Sequence, residues 1–197
     1  MQVLEISGLG RANAHGQWED MAGGFAARAD ERTDHFLPPT GEEGNLTSAT
    51  LLAPAPEGDF IFSARVEVEF AAAFDAGTLL LFFDSARWAK LCFEATPEVS
   101  PSVVSVVTRD RSDDANSSYP ARPSVYLRIA RIGEAYAFHS SADGGTWEFV
   151  RFFQLGDPGQ IPQLGFSAQS PTGPGCHVRF TEVSFRRETL PDLRNGS

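Results

Sequence analysis

Apolar and polar residues alternate with a period of two along most of the sequence, and this pattern constrains the fold more than any other feature. In Phe60–Phe70 the even positions are all apolar, while Arg65, Glu67 and Glu69 would lie on the opposite face. Such alternation is typical of a half-buried antiparallel strand. Long runs with a period of 3.6 residues, which would indicate amphipathic helices, are missing. The chain is therefore predicted to be all-β.

Similar runs recur along the chain, separated by turn-forming clusters to which 18 glycines and 13 prolines contribute. Many short strands with frequent turns predict a β-sandwich or jelly roll, and there is no room for the crossover helices of a parallel α/β fold. A weaker pair of strands is predicted around Gly24–Ala29 and Asn45–Leu52. The other predicted strands are Gly77–Asp84, Trp88–Ala95, Pro101–Arg109, Ser124–Arg131, Glu134–Ser141, Trp147–Phe153, Gln163–Ser170 and Cys176–Arg186.

Length and charge narrow the class of protein further. The 197 residues suffice for one domain, predicted over residues 1–187 and followed by a polar tail, 188–197, that frays. The net charge of −10 argues against nucleic-acid or anionic-membrane partners. The sequence has neither an apolar stretch of membrane-spanning length nor the pattern of a secretory signal. Cys92 and Cys176 lie in apolar runs, which indicates reduced core thiols and a cytoplasmic location.

Strand alternation also sorts side chains by face. In Trp88–Ala95 the odd positions are apolar and suit the core, so Trp88, Lys90 and Glu94 would share the opposite face. The same reasoning on the other strands yields a polar, partly aromatic set that we expect to gather on one sheet. The predicted ligand-binding residues are Trp88, Lys90, Glu94, Arg109, Tyr126, Arg128, His139, Arg151 and Gln169.

Aromatic rings beside charged and amide groups suit a saccharide or another small polar ligand, because rings cover the apolar sugar faces while polar groups bind the hydroxyls. Trp88 and Tyr126 would stack on the ligand. Four cations around one carboxylate, Glu94, favour an acidic sugar or a sugar phosphate. The alternative is a solvated sheet face with cross-strand ion pairs.

The acidic residues indicate binding rather than catalysis. A retaining glycosidase needs two carboxylates about 5–5.5 Å apart, and Glu94 stands alone on the predicted face. A loop acid, Asp34, Asp110 or Asp113, would supply the second group of a hydrolase or lyase. Asp110–Asn116 is predicted to be a loop ordered by Asx-turns, with Ca²⁺ binding as the alternative. With no cofactor motif and no metal-ligand spacing, no cofactor or metal is predicted.

Seven segments carry a resemblance to a known family: Thr33–Phe36, Trp88–Glu94, Ser105–Ser117, Val125–Arg131, Tyr136–Gly144, Trp147–Phe153 and Gly165–Pro171. Together they resemble the YesU-like family of unknown function, and the likeness covers most of residues 18–186. The resemblance implies a concanavalin A-like jelly-roll sandwich of two antiparallel sheets, one of them concave, in the lectin and glucanase superfamily. It implies no reaction, but a yeast member is labelled a regulator of enolase, so a protein-interaction module acting on a metabolic enzyme is the alternative function.

Overall fold

The computed structural model describes residues 10–11 and 15–197, and these form strands and connecting turns without a helix. The prediction of an all-β fold is therefore confirmed. The strands are β1 (Gly10–Arg11), β2 (Gly16–Met21), β3 (Gly24–Ala29), β4 (His35–Phe36), β5 (Asn45–Leu46), β6 (Ala49–Pro54), β7 (Phe60–Glu69), β8 (Ala76–Asp84), β9 (Arg87–Ala95), β10 (Pro101–Arg109), β11 (Arg111–Asn116), β12 (Ser124–Ile132), β13 (Ala135–Ser141), β14 (Glu148–Gln154), β15 (Gln163–Gln169) and β16 (Cys176–Arg186).

Fourteen of the strands in the described part of the chain form two antiparallel sheets. Sheet A has the order β1-β6-β15-β8-β9-β10-β11, and sheet B has the order β14-β13-β12-β7-β16-β3-β2. The two sheets stack face to face, so each has an inner face toward its partner and an outer face turned away. The short pair β4-β5 lies outside both sheets. This arrangement is the predicted sandwich of two antiparallel sheets.

Phenylalanine rings from both sheets fill the space between them. Phe166 of sheet A lies 5.3 Å from Phe62 and 4.8 Å from Phe180 of sheet B, measured between ring centroids. Each ring occupies a position of its strand that faces the other sheet, and along each strand such positions recur every second residue. The hydrophobic effect thus explains why a chain with 16 phenylalanines folds in this way.

One strand lies where the sequence predicts a loop. Asp110, with a φ of 60°, reverses the chain so that β11 pairs with β10 from Arg109↔Arg111 to Val104↔Asn116. The residues of β11 are too polar for alternation to reveal the strand. Because neighbouring strand residues face opposite sides, Asp113 and Asp114 point apart and cannot converge on one Ca²⁺ ion, which excludes the calcium alternative for this pair.

Two segments cover the outer faces of the sandwich. Residues 33–48 lie on sheet A, where Phe36, Leu37 and Leu46 pack on an apolar cluster that includes Trp88. The C-terminal segment lies on sheet B, where Leu190 is 4% exposed and packs with Ile61, Ala130 and Ala137. The tail is therefore held by apolar contacts, contrary to the predicted fraying. Among the described residues, no helix is long and apolar enough to cross a membrane.

Candidate functional site

The segment over sheet A is attached at its start to the end of β15. The amide of Ser170 donates hydrogen bonds to the carbonyl and the hydroxyl oxygen of Thr33, at 3.1 and 3.2 Å. The next residue, Asp34, accepts two bonds at its carbonyl oxygen, from the amides of Thr47 and Ser48. These bonds fix the position of the Asp34 side chain over the outer face of sheet A.

A cavity of about 240 Å³ opens between this segment and sheet A. Its lining combines carboxyl groups, one ammonium group, one amide and several apolar side chains. Such mixed linings, with few polar groups among apolar walls, are typical of sites for small molecules. The lining residues are Asp34, Phe36, Phe74, Lys90, Glu94, Val104, Asp114, Gln169 and Pro171.

Lys90 forms the floor of the cavity and is 1% exposed. Its ammonium group donates a hydrogen bond of 2.8 Å to Oε1 of Gln169 and lies 3.8 Å from the carboxylate of Asp34. The amide of Gln169 in turn donates to the carbonyl of Phe74 at 3.5 Å. A buried charge needs such partners to offset its lost hydration, so this network holds the polar floor in one arrangement.

Glu94 is partly buried and lies on the same face of β9 as Lys90, four residues further along the strand. Burial raises the pKa of its carboxyl group to about 7, and the charges of Asp34 and Asp114 raise it too, whereas Lys90 opposes the rise. No hydrogen bond or ion pair joins the Glu94 carboxyl group to another described residue. The group is therefore free to bind a ligand, and it titrates near neutral pH.

Phe74 stands at the rim of the cavity with 39% of its surface exposed and a φ of 68°. The left-handed region is a genuine outlier for a bulky residue. Asp75 holds this turn in place, since its buried carboxylate accepts bonds from the amides of Ala71 and Ala72 and from the hydroxyl of Ser170. The fold thus fixes an exposed aromatic ring next to a polar floor.

Four of the nine predicted ligand-binding residues come together on the outer face of sheet A. Lys90, Glu94 and Gln169 line the cavity. Trp88 shares their face but is fully buried, with its ring 4.5 Å from that of His35 in an edge-on arrangement. The prediction that Trp88 stacks on a ligand is therefore wrong, because the segment over sheet A covers it.

Three other predicted residues lie on the outer face of sheet B, on the opposite side of the sandwich. Arg128 is 2% exposed, lies 4.1 Å over the ring of Trp147 and donates to the carbonyl of Gly196. His139 bonds the carbonyl of Leu193. Tyr126 donates to Glu182 at 2.9 Å. Arg128 and His139 thus hold the C-terminal segment.

The last two predicted residues join the edges of the two sheets. Arg109 of sheet A donates to the carbonyl of Gln154 in sheet B. Arg151 of sheet B forms an ion pair of 3.1 Å with Asp113 of sheet A. The nine residues therefore do not gather on one sheet, and the expected cluster of four cations does not form. The expectation of an acidic ligand, which rested on that cluster, is wrong, because among the described residues at the cavity Lys90 is the one cation beside three carboxyl groups.

Five cavity residues escaped the sequence prediction: Phe36, Phe74, Val104, Asp114 and Pro171. Asp114 lay in a presumed loop, although the period of two from Ser112 would have placed it on this face. Phe36 and Phe74 lie outside the long strands, where alternation carries no information. Asp34, named in the sequence as one source of a second carboxylate, does reach the cavity.

The raised pKa of Glu94 has a consequence for stability. Between pH 4.5, its ordinary pKa, and about 7, the folded protein retains a proton that the unfolded chain releases, so this group lowers stability as the pH rises. We expect Glu94→Gln to match the wild type at pH 4.5 and to exceed its free energy of unfolding by about 3 kcal/mol at pH 8. Urea unfolding at both values measures this difference.

Two buried histidines change the pH dependence of stability in the opposite sense. Burial lowers the pKa of His35 to about 3 and that of His139 to about 4, so both destabilise the fold on acidification below pH 6.5. Both histidines are present in the wild type and in Glu94→Gln, so their effect cancels when the stabilities of these two proteins are compared. If the difference in free energy of unfolding between Glu94→Gln and the wild type were the same at pH 4.5 and at pH 8, the raised pKa of Glu94 would be contradicted.

Comparison with protein-family models finds one match that spans most of the chain. Residues 12–188 match the family described as a protein of unknown function, DUF1349. The chain belongs to this family. A comparison with curated proteins finds no significant match. Membership in DUF1349 brings no assigned activity, so a functional argument depends on the site.

Several solved structures have a fold similar to that of this chain. A functionally unknown protein from Saccharomyces cerevisiae is similar at a TM-score of 0.84 and 22% identity, with 93% of this chain and 98% of that chain covered. Carbohydrate binding module CBM66 from Bacillus subtilis is similar at a TM-score of 0.58 and 16% identity, with 91% and 95% covered. Identities this low show the fold alone.

A third similar structure is longer than this chain. The Bacteroides ovatus protein titled xyloglucan PUL GH43B has a TM-score of 0.71 and 16% identity, and the match covers 91% of this chain. The chain spans 36% of that structure. The fold is thus found both in a carbohydrate binding module and in part of a longer GH43 protein.

Proposed function

We propose that the cavity on the outer face of sheet A binds one sugar unit of a saccharide without cleaving it. The observation that carries this proposal is the exposed ring of Phe74 fixed beside the polar floor of Lys90, Glu94 and Gln169. A pyranose has an apolar face for the ring and hydroxyl groups for the polar side chains. The volume of about 240 Å³ lies below the roughly 300–1,000 Å³ of drug-sized sites, which suits a single unit.

The comparisons support a carbohydrate ligand. One similar structure is titled a carbohydrate binding module, and another carries xyloglucan in its title. This support is an analogy between folds. The residues of the cavity supply the chemical argument, because carboxyl, ammonium and amide groups together provide both donors and acceptors for hydroxyl groups.

The proposed location is the cytoplasm. Cys92 and Cys176 are both free and buried, and burial raises the pKa of each thiol. Protonated, buried thiols react slowly, and free cysteines are typical of proteins in a reducing compartment.

A second candidate, glycoside hydrolysis, is favoured by the three carboxyl groups at the cavity. A carboxyl group with a pKa near 7, such as Glu94, can donate a proton to a leaving group, while Asp34 or Asp114 would act as base. Release of reducing sugar from a bound oligosaccharide, lost in Glu94→Gln, would favour this candidate over pure binding.

Phe74→Ala tests the binding proposal. We expect the affinity for a neutral oligosaccharide identified on a glycan array to fall about tenfold, because a stacked ring contributes about 1.5 kcal/mol or more through buried apolar area. The fold should be kept, since alanine removes a bulky side chain from a left-handed backbone position. Isothermal titration calorimetry measures the affinity.

Phe152→Ala is the matched control. Phe152 is 45% exposed and lies on β14 of sheet B, away from the cavity. Its replacement should leave the affinity within twofold of the wild type. Equal losses in both variants, or no loss in Phe74→Ala, would contradict the proposed site.

A further inference from the structure

The charges around the cavity favour a positively charged ligand. Asp34, Glu94 and Asp114 carry three carboxyl groups, and Lys90 supplies one ammonium group. The ammonium group of Lys90 is already bound by Gln169 and lies near Asp34. With Glu94 ionised the formal charge of the lining is −2, so an added anion is repelled and an added cation is attracted.

The carboxyl groups do not converge on a metal ion. Among the described residues, no group of three histidine, cysteine, aspartate or glutamate side chains lies close enough to hold one. Phe36, Phe74, Val104 and Pro171 form apolar walls between the polar groups. Apolar and aromatic walls beside carboxylates suit an organic ammonium group better than a strongly hydrated metal ion.

Among the described residues, neither Glu94 nor Asp114 has a hydrogen-bond or ion-pair partner for its carboxyl group, and of these two only Glu94 is partly buried. Asp34 lies near Lys90, and Asp114 is exposed on the edge strand β11. The charged groups that act on Glu94 come from three elements: Lys90 on its own strand, Asp34 on the covering segment and Asp114 on β11. Burial and the two aspartates outweigh Lys90 and raise the pKa of Glu94 to about 7, so a cation bound beside Glu94 would favour its ionised form.

We propose that the sugar unit bound at this cavity carries a protonated amine, as in a hexosamine with a free amino group, and that the amine pairs with Glu94. This inference rests on the proposed saccharide site and names its ligand class. Binding of the ammonium group stabilises the Glu94 carboxylate. At slightly acid pH, a proton therefore leaves Glu94 for the solvent when the ligand binds.

The test compares three oligosaccharides of equal length: a glucosamine tetramer, its N-acetylated form and a glucose tetramer. Calorimetric titrations at pH 6.5 and low salt give the affinities, and two buffers with different ionisation enthalpies give the number of protons released. We expect the glucosamine tetramer to bind at least tenfold more tightly than the other two and to release about 0.5–0.75 proton, since about three-quarters of the Glu94 carboxyl groups are protonated at this pH. High salt should reduce this preference.

Glu94→Gln and Glu148→Gln form the matched pair of variants. Glu148 is exposed on β14 and lies outside the cavity. Glu94→Gln should lose the proton release and bind the glucosamine and glucose tetramers with equal affinity, whereas Glu148→Gln should behave as the wild type.

Each outcome decides a different claim. Equal or tighter binding of the neutral tetramers by the wild type would overturn the amine inference and leave the saccharide site intact. Binding of none of the three would overturn both. An amine preference that survives in Glu94→Gln would overturn the assigned partner.

Discussion

Replacing Asp75 by alanine is expected to lower the free energy of unfolding by about 3–5 kcal/mol. The carboxylate of Asp75 is fully buried and accepts bonds of 2.8 and 2.9 Å from the amides of Ala71 and Ala72 and one of 2.6 Å from the hydroxyl of Ser170. Alanine would leave these donors without a partner inside the protein. Urea unfolding measures the loss.

The same substitution should impair binding, because Asp75 holds the turn that carries Phe74. Asp59→Ala is the control: Asp59 also accepts two hydrogen bonds, from Gly133 and Thr189, but it is partly exposed and lies away from the cavity. Its replacement should cost about 1 kcal/mol and leave binding unchanged. A cost for Asp75→Ala no larger than that for Asp59→Ala would contradict the assigned anchoring role.

Replacing Trp88 by alanine is expected to cost about 3–5 kcal/mol, the usual loss for a large aromatic side chain removed from a core. Trp88 is fully buried against His35 and the apolar cluster beneath the covering segment. Thermal or urea unfolding measures the loss. The effect on binding would follow only from the disturbed support of the cavity floor.

Trp88→Phe tests whether Trp88 only supports the cavity floor or also contacts the ligand. The buried indole N–H of Trp88 has no hydrogen-bond partner among the described residues, so phenylalanine removes no hydrogen bond seen there and leaves a smaller cavity than alanine does. We expect a loss of about 1–2 kcal/mol in stability and an affinity within twofold of the wild type. A tenfold loss of affinity with the fold retained would show instead that Trp88 contacts the ligand.

The fold could be predicted from the sequence because burial on one face of a strand imposes a period of two. Phe60–Glu69 shows this plainly, because its even positions are all buried while its odd positions from Ser63 onward are partly or fully exposed. Prediction failed where both faces are polar, as in Arg111–Asn116, because pairing alone defines that edge strand.

The site could be predicted only in part, because alternation gives the face of a side chain but not the sheet to which its strand belongs. Lys90 and Arg128 both point away from the core, yet they lie on opposite outer faces of the sandwich. Arg109 was also assigned to the wrong face: β9 and β10 pair Thr108 with Trp88, so Thr108 shares the face of Trp88.

The covering segments could not be predicted from strand patterns. Residues 33–48 bring Asp34 and Phe36 over sheet A, and their positions depend on long-range bonds such as that between Thr33 and Ser170. The C-terminal segment covers Arg128 and His139 in the same way on sheet B. Contacts of this kind follow from tertiary packing and leave no periodic signal.

An NMR titration of the ¹⁵N-labelled protein with a saccharide tests the central claim most directly, because it locates the binding site without a substitution. The account predicts that the shifted amides cluster around Asp34, Phe74, Glu94 and Gln169 on the outer face of sheet A. Shifts that cluster around Tyr126, Arg128 and Trp147 on sheet B would contradict it, as would the absence of shifts with every saccharide tested.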